Sequence, residues 1–346
     1  MANYNPKMPS ATYDKADMTA ILASSIPQGL VSENLRFDSA EDASIFFARE
    51  LDYVKKETYD VEYPEFTGLK LFPISHEVNE GAETVTYYSY EKTGFAKIIS
   101  NYATDLPRAD VKGKPTTVPV KSIGDSYGYS MQDMRASRMA GKSLDTRRGE
   151  AAKYQIDRKT NEIIWAGDAA TGLPGVLTAS NNVPTYTLAT VGGKTTFADK
   201  TVDEIAADLN GMRAFIAKTT KNVEVPDTVV LPPSVVIQLA GKRVDGTAET
   251  AWDFVKKAVP GIKNWEQAPE LESDMTDTNP YAAASGGRGV CLMYKKDAKK
   301  LTIEVPLAFY QYAAQPKGLE IEVPCEARVA GAIIYYPMSL LIAAGV

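Results

Sequence analysis

Thr84-Val85-Thr86-Tyr87-Tyr88-Ser89-Tyr90 is the stretch on which the reading of this chain turns. β-branched and aromatic residues dominate it, the mix that suits a pleated surface. A second run, Thr116 to Ile123, follows a polar tip around Lys112-Gly113-Lys114-Pro115, so residues 69–129 are predicted to form an extended two-stranded hairpin. Pro119 lies inside the second run, which marks an edge strand or a partly unpaired one. The hairpin has little apolar content to bury, and an isolated two-stranded ribbon is marginal in water. Another copy of the chain is a natural candidate to support it.

Upstream, Ser39 reads as a helix cap with Asp42 at the third position, ahead of Ile45, Phe46, Leu51 and Val54. That helix fades near Lys56 and Pro64 closes it. Residues 1–38 show no sustained period and read as an extended arm. Downstream, Ser130 to Gly167 is the longest helical stretch, with Met131, Met134, Leu144, Ala151, Ala152, Ile156, Ile163 and Ile164 as its apolar stripe. Asp145/Arg148, Glu150/Lys153 and Arg158/Glu162 place opposite charges at helical spacing. Gly141 and Gly149 argue against one unbroken helix.

A mixed unit follows. Thr201 and Glu204 form a capping box ahead of Val202, Ile205, Ala206, Leu209 and Ile216. A short strand to Leu231, a helix from Ser234 to Ala240 and a helix from Ala251 to Val259 come next. Val290–Tyr294, Leu301–Val305, Leu319–Val323 and Ala327–Ile334 are predicted closing strands. The fold class is α+β.

Composition narrows the function. The chain has 346 residues, 44% of them hydrophobic and 24% charged, enough for about two domains. A net charge of -6 excludes a clustered cationic grip on phosphates. Cys291 and Cys325 sit in apolar runs and read as buried free thiols. The start, Met1-Ala2-Asn3-Tyr4-Asn5-Pro6, lacks the charged and apolar regions of a signal peptide, which points to a reducing cytoplasm. Val329 to Val346 is uncharged for 18 residues, near the length of a membrane span. Pro337, Gly331, Gly345 and the Ile333-Ile334-Tyr335-Tyr336 run favour a buried terminal strand pair instead.

The catalytic motifs fail one by one. Gly124-Asp125-Ser126-Tyr127-Gly128 matches the nucleophile elbow, which needs a strand before the serine, a helix directly after it and a later histidine. The sole histidine, His76, precedes Ser126, and a histidine-first triad with Asp105 or Asp110 would fall in a hairpin without an enclosing core. His76-Glu77 lacks the second histidine of a zinc-protease helix, since that place holds Glu80. Glu77, Glu80 and Glu83 read as a solvated acidic face. Gly141-Lys142-Ser143 and Gly193-Lys194-Thr195 lack the earlier glycine of a phosphate loop, Ala136 and Leu188 standing there. Gly286-Gly287-Arg288-Gly289 lacks the dinucleotide pattern. Arg135, Arg138, Lys142, Arg147, Arg148, Lys153, Arg158 and Lys159 interleave with Asp133, Asp145, Glu150, Asp157 and Glu162, as on a salt-bridged helix. No catalytic residue, cofactor site or metal ligand is assigned.

The order of parts resembles the Hong Kong 97-type capsid fold of tailed-bacteriophage major capsid proteins, which encapsulins share. Phe46-Phe47-Ala48-Arg49-Glu50-Leu51-Asp52 with Leu71-Phe72-Pro73-Ile74 resembles the helix and strand before that family's extended loop. Leu144 to Ala152, running on to Ile163-Ile164-Trp165-Ala166-Gly167, resembles its spine helix, and Leu173-Pro174-Gly175-Val176-Leu177 the segment after it. Cys325-Glu326-Ala327-Arg328-Val329-Ala330-Gly331 and Tyr336-Pro337 resemble its closing strands.

The resemblance implies an N-terminal arm (1–38), a helix and lead-in strand (39–68), an extended β-hairpin loop (69–129), a peripheral domain with the spine helix (130–196 and 311–346) and an axial α/β domain (197–310). It implies a non-enzymatic subunit that self-assembles through pentamers and hexamers into an icosahedral shell around double-stranded DNA, contacted non-specifically and without a membrane. A separate scaffolding protein, a portal and a decoration protein are the implied partners, and the virion, assembled in the host cytoplasm, is the location. The competing readings are an encapsulin-type nanocompartment around cargo protein, and a serine hydrolase using Ser126.

Overall fold

The computed structural model describes residues 63–98, 106–140, 147–281 and 288–346. The expected arm of residues 1–38 and the helix begun at Ser39 lie outside them. All elements below belong to the unit running from Glu65 to Val346. In chain order its first half holds α1 (Gly68–Leu71), β1 (Ile74–Ser75), β2 (Thr84–Thr93), β3 (Asp110–Pro119), β4 (Lys121–Ser130), α2 (Met131–Ala140), α3 (Arg147–Ala166) and β5 (Thr185–Tyr186). Next come α4 (Val202–Thr219), β6 (Thr228–Leu231), α5 (Pro233–Gly241), α6 (Ala251–Ala258) and β7 (Asn264–Gln267). The closing strands are β8 (Val290–Tyr294), β9 (Leu301–Glu304), β10 (Leu307–Gln311), β11 (Gln315–Lys317), β12 (Glu320–Val329), β13 (Gly331–Ile334) and β14 (Leu340–Ala344).

β2 and β3 form the expected hairpin as a separate two-stranded sheet, in register from Thr84 opposite Pro119 to Thr93 opposite Asp110. The tip expected near Lys112–Pro115 lies inside β3, opposite Tyr88 to Glu91, so the ribbon is longer than the turn chemistry suggested. A ribbon of two strands has a free edge on each, where lysine and proline are tolerated. The predicted Thr116–Ile123 strand divides after Pro119. β4 leaves the hairpin and runs antiparallel to β12 over its whole length, Lys121 opposite Val329 to Ser130 opposite Glu320. β10 and β11 line the other edge of β12. Two predicted strands, Leu319–Val323 and Ala327–Ile334, are thus redrawn as β12 and β13, which divide at Ala330, with Gly331 at φ +76 opening β13.

The first half of α3 lies on this sheet, where Ala152 and Ile156 pack with Cys325, Ala327, Ile123 and Tyr127. Its last turn enters the main core through Ile163, Ile164 and Trp165, joined there by Leu71, Phe72, Tyr294, Leu301 and Ile303. A polar clamp fixes this end. Glu270, buried, accepts from the Thr67 backbone N at 2.9 Å, the Thr67 hydroxyl at 2.7 Å and Asn161 Nδ2 at 2.8 Å, while Asn161 Oδ1 accepts from Gly68 N at 2.9 Å. The long predicted helical stretch is two helices, with residues 141–146 between them outside the described set.

The α/β unit is built on a five-stranded sheet of order β5-β14-β8-β6-β7. Both of its faces are covered, which explains its unbroken apolar runs. Val290, Leu292 and Tyr294 of β8 point into the main core, and Cys291 and Met293 into a second core under α4, α5 and α6. β14 alternates likewise, Leu340 and Ile342 against Leu341 and Ala343. The predicted capping box holds, Thr201 and Glu204 closing the first turn of α4 reciprocally. The expected terminal strand pair is corrected: β13 and β14 are both buried, but β13 pairs with β9 and β14 with β8 and β5.

After α3 the chain reverses through Gly167, at φ +73, and a Cβ on Gly175 would collide with the Gly167 backbone. Gly175→Ala should lower the stability of the unassembled subunit by about 2–3 kcal/mol through overpacking, against about 1 kcal/mol for loss of the α4 cap in Thr201→Ala. Urea unfolding of the two variants should place them in that order.

Candidate assembly surfaces

Among the described residues the hairpin is fastened only at its root. Val85, Tyr87, Val118 and Val120 pack on Ala330, Ile333 and Tyr335, with the Tyr87 and Tyr335 rings edge to face at 5.1 Å. Arg328 of β12 reaches under the turn before β2, where its guanidinium donates to the carbonyls of Glu80 and Ala82. Val120 N donates to the Glu83 carbonyl at 2.8 Å and closes the root. Beyond Tyr87 the inward-outward alternation stops, and every β2 residue from Tyr88 to Lys92 is exposed.

Large apolar side chains stand in solvent along the rest of the ribbon: Tyr88 is 63% exposed, Tyr90 72%, Phe95 74%, and Ile98, Leu106 and Val111 are similarly open. Burying one such side chain is worth roughly 1.5–3 kcal/mol, so the six together forgo on the order of 10 kcal/mol until something covers them. Further exposed apolar residues lie elsewhere on the unit, among them Met139, Val223, Ile237, Tyr310 and Leu319.

The catalytic candidates are not brought together. Ser126 sits in the middle of β4 opposite Pro324, with no helix at its heels, and its hydroxyl donates to Glu322 at 2.8 Å. His76 pairs its Nδ1 with the Val305 carbonyl at 2.6 Å. Asp110 opens β3 opposite Thr93, and Asp105 lies outside the described residues. Among the described residues no three His, Cys, Asp or Glu side chains converge as a metal site, and no helix is long and apolar enough to cross a membrane.

Of the glycine-lysine triplets, Gly141-Lys142-Ser143 falls outside the described residues. Gly193-Lys194-Thr195 belongs to a tight turn closed by Val191 and Lys194, where the Thr195 hydroxyl accepts from Arg288 at 2.8 Å. Gly286 and Gly287 also fall outside.

Part of the basic row is neutralised within the chain. Arg148 pairs with Asp133 at 3.3 Å, Arg158 with Glu162 at 3.3 Å and Asp277 at 3.7 Å, and Lys159 with Glu162 at 3.0 Å. Arg148 also covers the Tyr129 ring at 4.8 Å, so part of the row staples α3 to β4. The clamp made by Arg328 was invisible to sequence reasoning, because its acceptors are backbone carbonyls. Alternation along β2 was its only available signal, and that locates the root without naming what holds it.

The family model for "Major capsid protein" matches residues 94–346. The chain belongs to the major capsid protein family. Its fold is that of phage capsids of the Hong Kong 97 type. The capsid of Myoviridae phage XM1 is similar at a TM-score of 0.72 with 17% identity, over 88% of this chain and 99% of that one. A structure from Gordonia phage Cozz is similar at 0.56 with 12% identity, over 91% and 98%. A virus-like particle from Pyrococcus furiosus is similar at 0.50 with 10% identity, over 80% and 91%. No curated protein matches the sequence closely enough to count as a relative. A capsid subunit assembles with many copies of itself, and its uncovered hairpin is surface that such copies can meet.

Two chemical consequences can be measured. Both cysteines are buried and free, and burial pushes the Cys291 thiol up to about 12. The native subunit at pH 8 should therefore leave a thiol reagent unreacted, and both cysteines should report once it unfolds. The Glu322 carboxyl is held below the ordinary glutamate range by the Lys317 ammonium, and then by the Ser126 hydroxyl. A lowered carboxylate contributes stability that is present above its unfolded value and lost as pH falls through the lowered one. In Ser126→Ala the Glu322 carboxyl should titrate at a higher pH and its stabilising contribution should shrink, read by NMR titration of that carboxyl.

Proposed function

We propose that this chain is the major capsid subunit of a tailed bacteriophage, closing with copies of itself into an icosahedral shell around double-stranded DNA. The observation that carries this reading is the hairpin, paired along ten residues yet packed, among the described residues, only at its root. Such a ribbon gains its missing burial when it lies across an adjacent subunit. Residues 1–38 would reach another neighbour as an arm, with 39–68 leading into the hairpin loop of 69–129. The unit of residues 197–310 would gather around five- and six-fold axes, and 130–196 with 311–346 would form the periphery. Ring contacts of this kind are heterologous, one surface meeting a different one.

The subunit works by assembly and not by catalysis. Ser126, engaged with Glu322 in mid-strand, supports this over the hydrolase reading. The net charge of -6 supports containment of DNA with at most non-specific contact. A separate scaffolding protein, a portal and a decoration protein are the expected partners, and assembly takes place in the bacterial cytoplasm. The family match supports a capsid over a nanocompartment around cargo protein.

Purified protein, with a scaffold if one is required, should give closed particles in electron micrographs. Replacing residues 86–117 by a two-glycine turn should leave soluble capsomers or monomers. Normal shells from that deletion would falsify the role given to the hairpin.

A further inference from the structure

The two ends of the hairpin differ in charge. Its outer part carries Lys92, Arg108 and Lys112, all exposed and none in an ion pair among the described residues. Near its root the chain is acidic, with Glu77, Glu80 and Glu83 leading into β2.

A cleft of about 780 Å³ opens there between the free edge of β2 and β1, lined by His76, Glu77, Tyr87, Ser89, Glu304 and Tyr335. Glu304 is only 4% exposed, and its surroundings do not satisfy it. Oε1 accepts one long hydrogen bond from the Thr302 hydroxyl, at 3.3 Å, and Oε2 has no partner. Lys299, on the outer wall, forms no ion pair with either carboxylate, and Lys300 is committed to Glu224 and to the Tyr336 ring. A buried carboxylate without a cation or a full set of donors is costly, which makes this wall a seat for a positive group. The set of ligands is too poor for a metal ion.

The chain's own outer cations leave the seat unfilled: among the described residues none of Lys92, Arg108 and Lys112 pairs with Glu77 or Glu304. Lys112 stands opposite Glu91, one pair beyond Tyr90 at the outer rim of the cleft.

We infer that the basic outer part of one copy's hairpin docks on the acidic root cleft of a second copy, bringing a lysine or arginine head to Glu77 and Glu304. The inference rests on the reading that the hairpin lies across a neighbour, and it names the surface that receives it. Donor and acceptor are different parts of one element, so each copy presents both and the contact repeats head to tail. Charge complementarity of this kind chiefly sets partner register and encounter rate.

Charge exchange in the full chain tests it. The variant K92E/K112E and the variant E77K, all at exposed positions, should each lower the assembled fraction about tenfold at ~0.1 M salt. Combining them in one chain should restore assembly, because the reversed charges again match. In the double variant Lys112→Cys/Glu77→Cys, oxidation should give a ladder of disulfide-linked oligomers on a non-reducing gel, the native cysteines being buried. Parental assembly by both charge variants, with no ladder from intact shells, would overturn this docking site and leave the hairpin's role standing. That role fails separately, if the hairpin deletion still builds normal shells.

Discussion

Ten consecutive residue pairs join Lys121–Ser130 to Glu320–Val329, and the rest of the architecture hangs from that seam. It brings together segments some two hundred positions apart in the chain. The hairpin leaves it at one end of β4, and α2 leaves it at the other. All of the α/β unit except β14 is threaded between its two strands. α3 then lies on the seam and drives Trp165 into the core beyond it, so one helix ties the sheet to the α/β unit. Such non-local pairing costs loop-closure entropy before it returns any stability. The buried Glu270–Asn161–Thr67 clamp and the doubly covered five-stranded sheet supply what offsets it.

Function here follows from what that framework leaves undone. The cores are closed with apolar alternation on both faces of β8 and β14, whereas among the described residues nothing packs on the ribbon beyond Tyr87. A monomer would gain by shortening it. In the proposed shell a subunit needs it long, its exposed aromatic and aliphatic residues being surface held for a neighbour. The same logic explains why ionisable groups that might suggest chemistry are occupied with one another: Ser126 with Glu322 and Lys317, His76 with a backbone carbonyl, and part of the helical basic row with its own acids.

Much of this was legible in local sequence, and the failures share a cause. The capping box at Thr201 and Glu204, the β8 strand and the β-branched run at Thr84 each act within a few residues, so local patterns found them. The hairpin tip was misplaced because Lys112-Gly113-Lys114-Pro115 has turn chemistry, which a strand with a free edge also accepts. β7 and β11 carry no strand signal of their own, since Asn264-Trp265-Glu266-Gln267 and Gln315-Pro316-Lys317 are strands only because β6 and β12 lie beside them. The serine motif misled for the opposite reason. Its residues are strand residues, and a five-residue pattern does not record what stands across the sheet.

The fastening of the hairpin at one end has a mechanical consequence. Arg328 and the Tyr87–Tyr335 contact form a pivot, and the six residues of β2 beyond them, Tyr88 to Thr93, make a lever about 20 Å long at roughly 3.3 Å per residue. A swing of about 10° at the pivot carries the far end of β2 through about 3.5 Å by that same geometry. Identical chains placed in unequal surroundings can thus each reach their neighbour by a small rotation at a single joint, while the packed body keeps its shape.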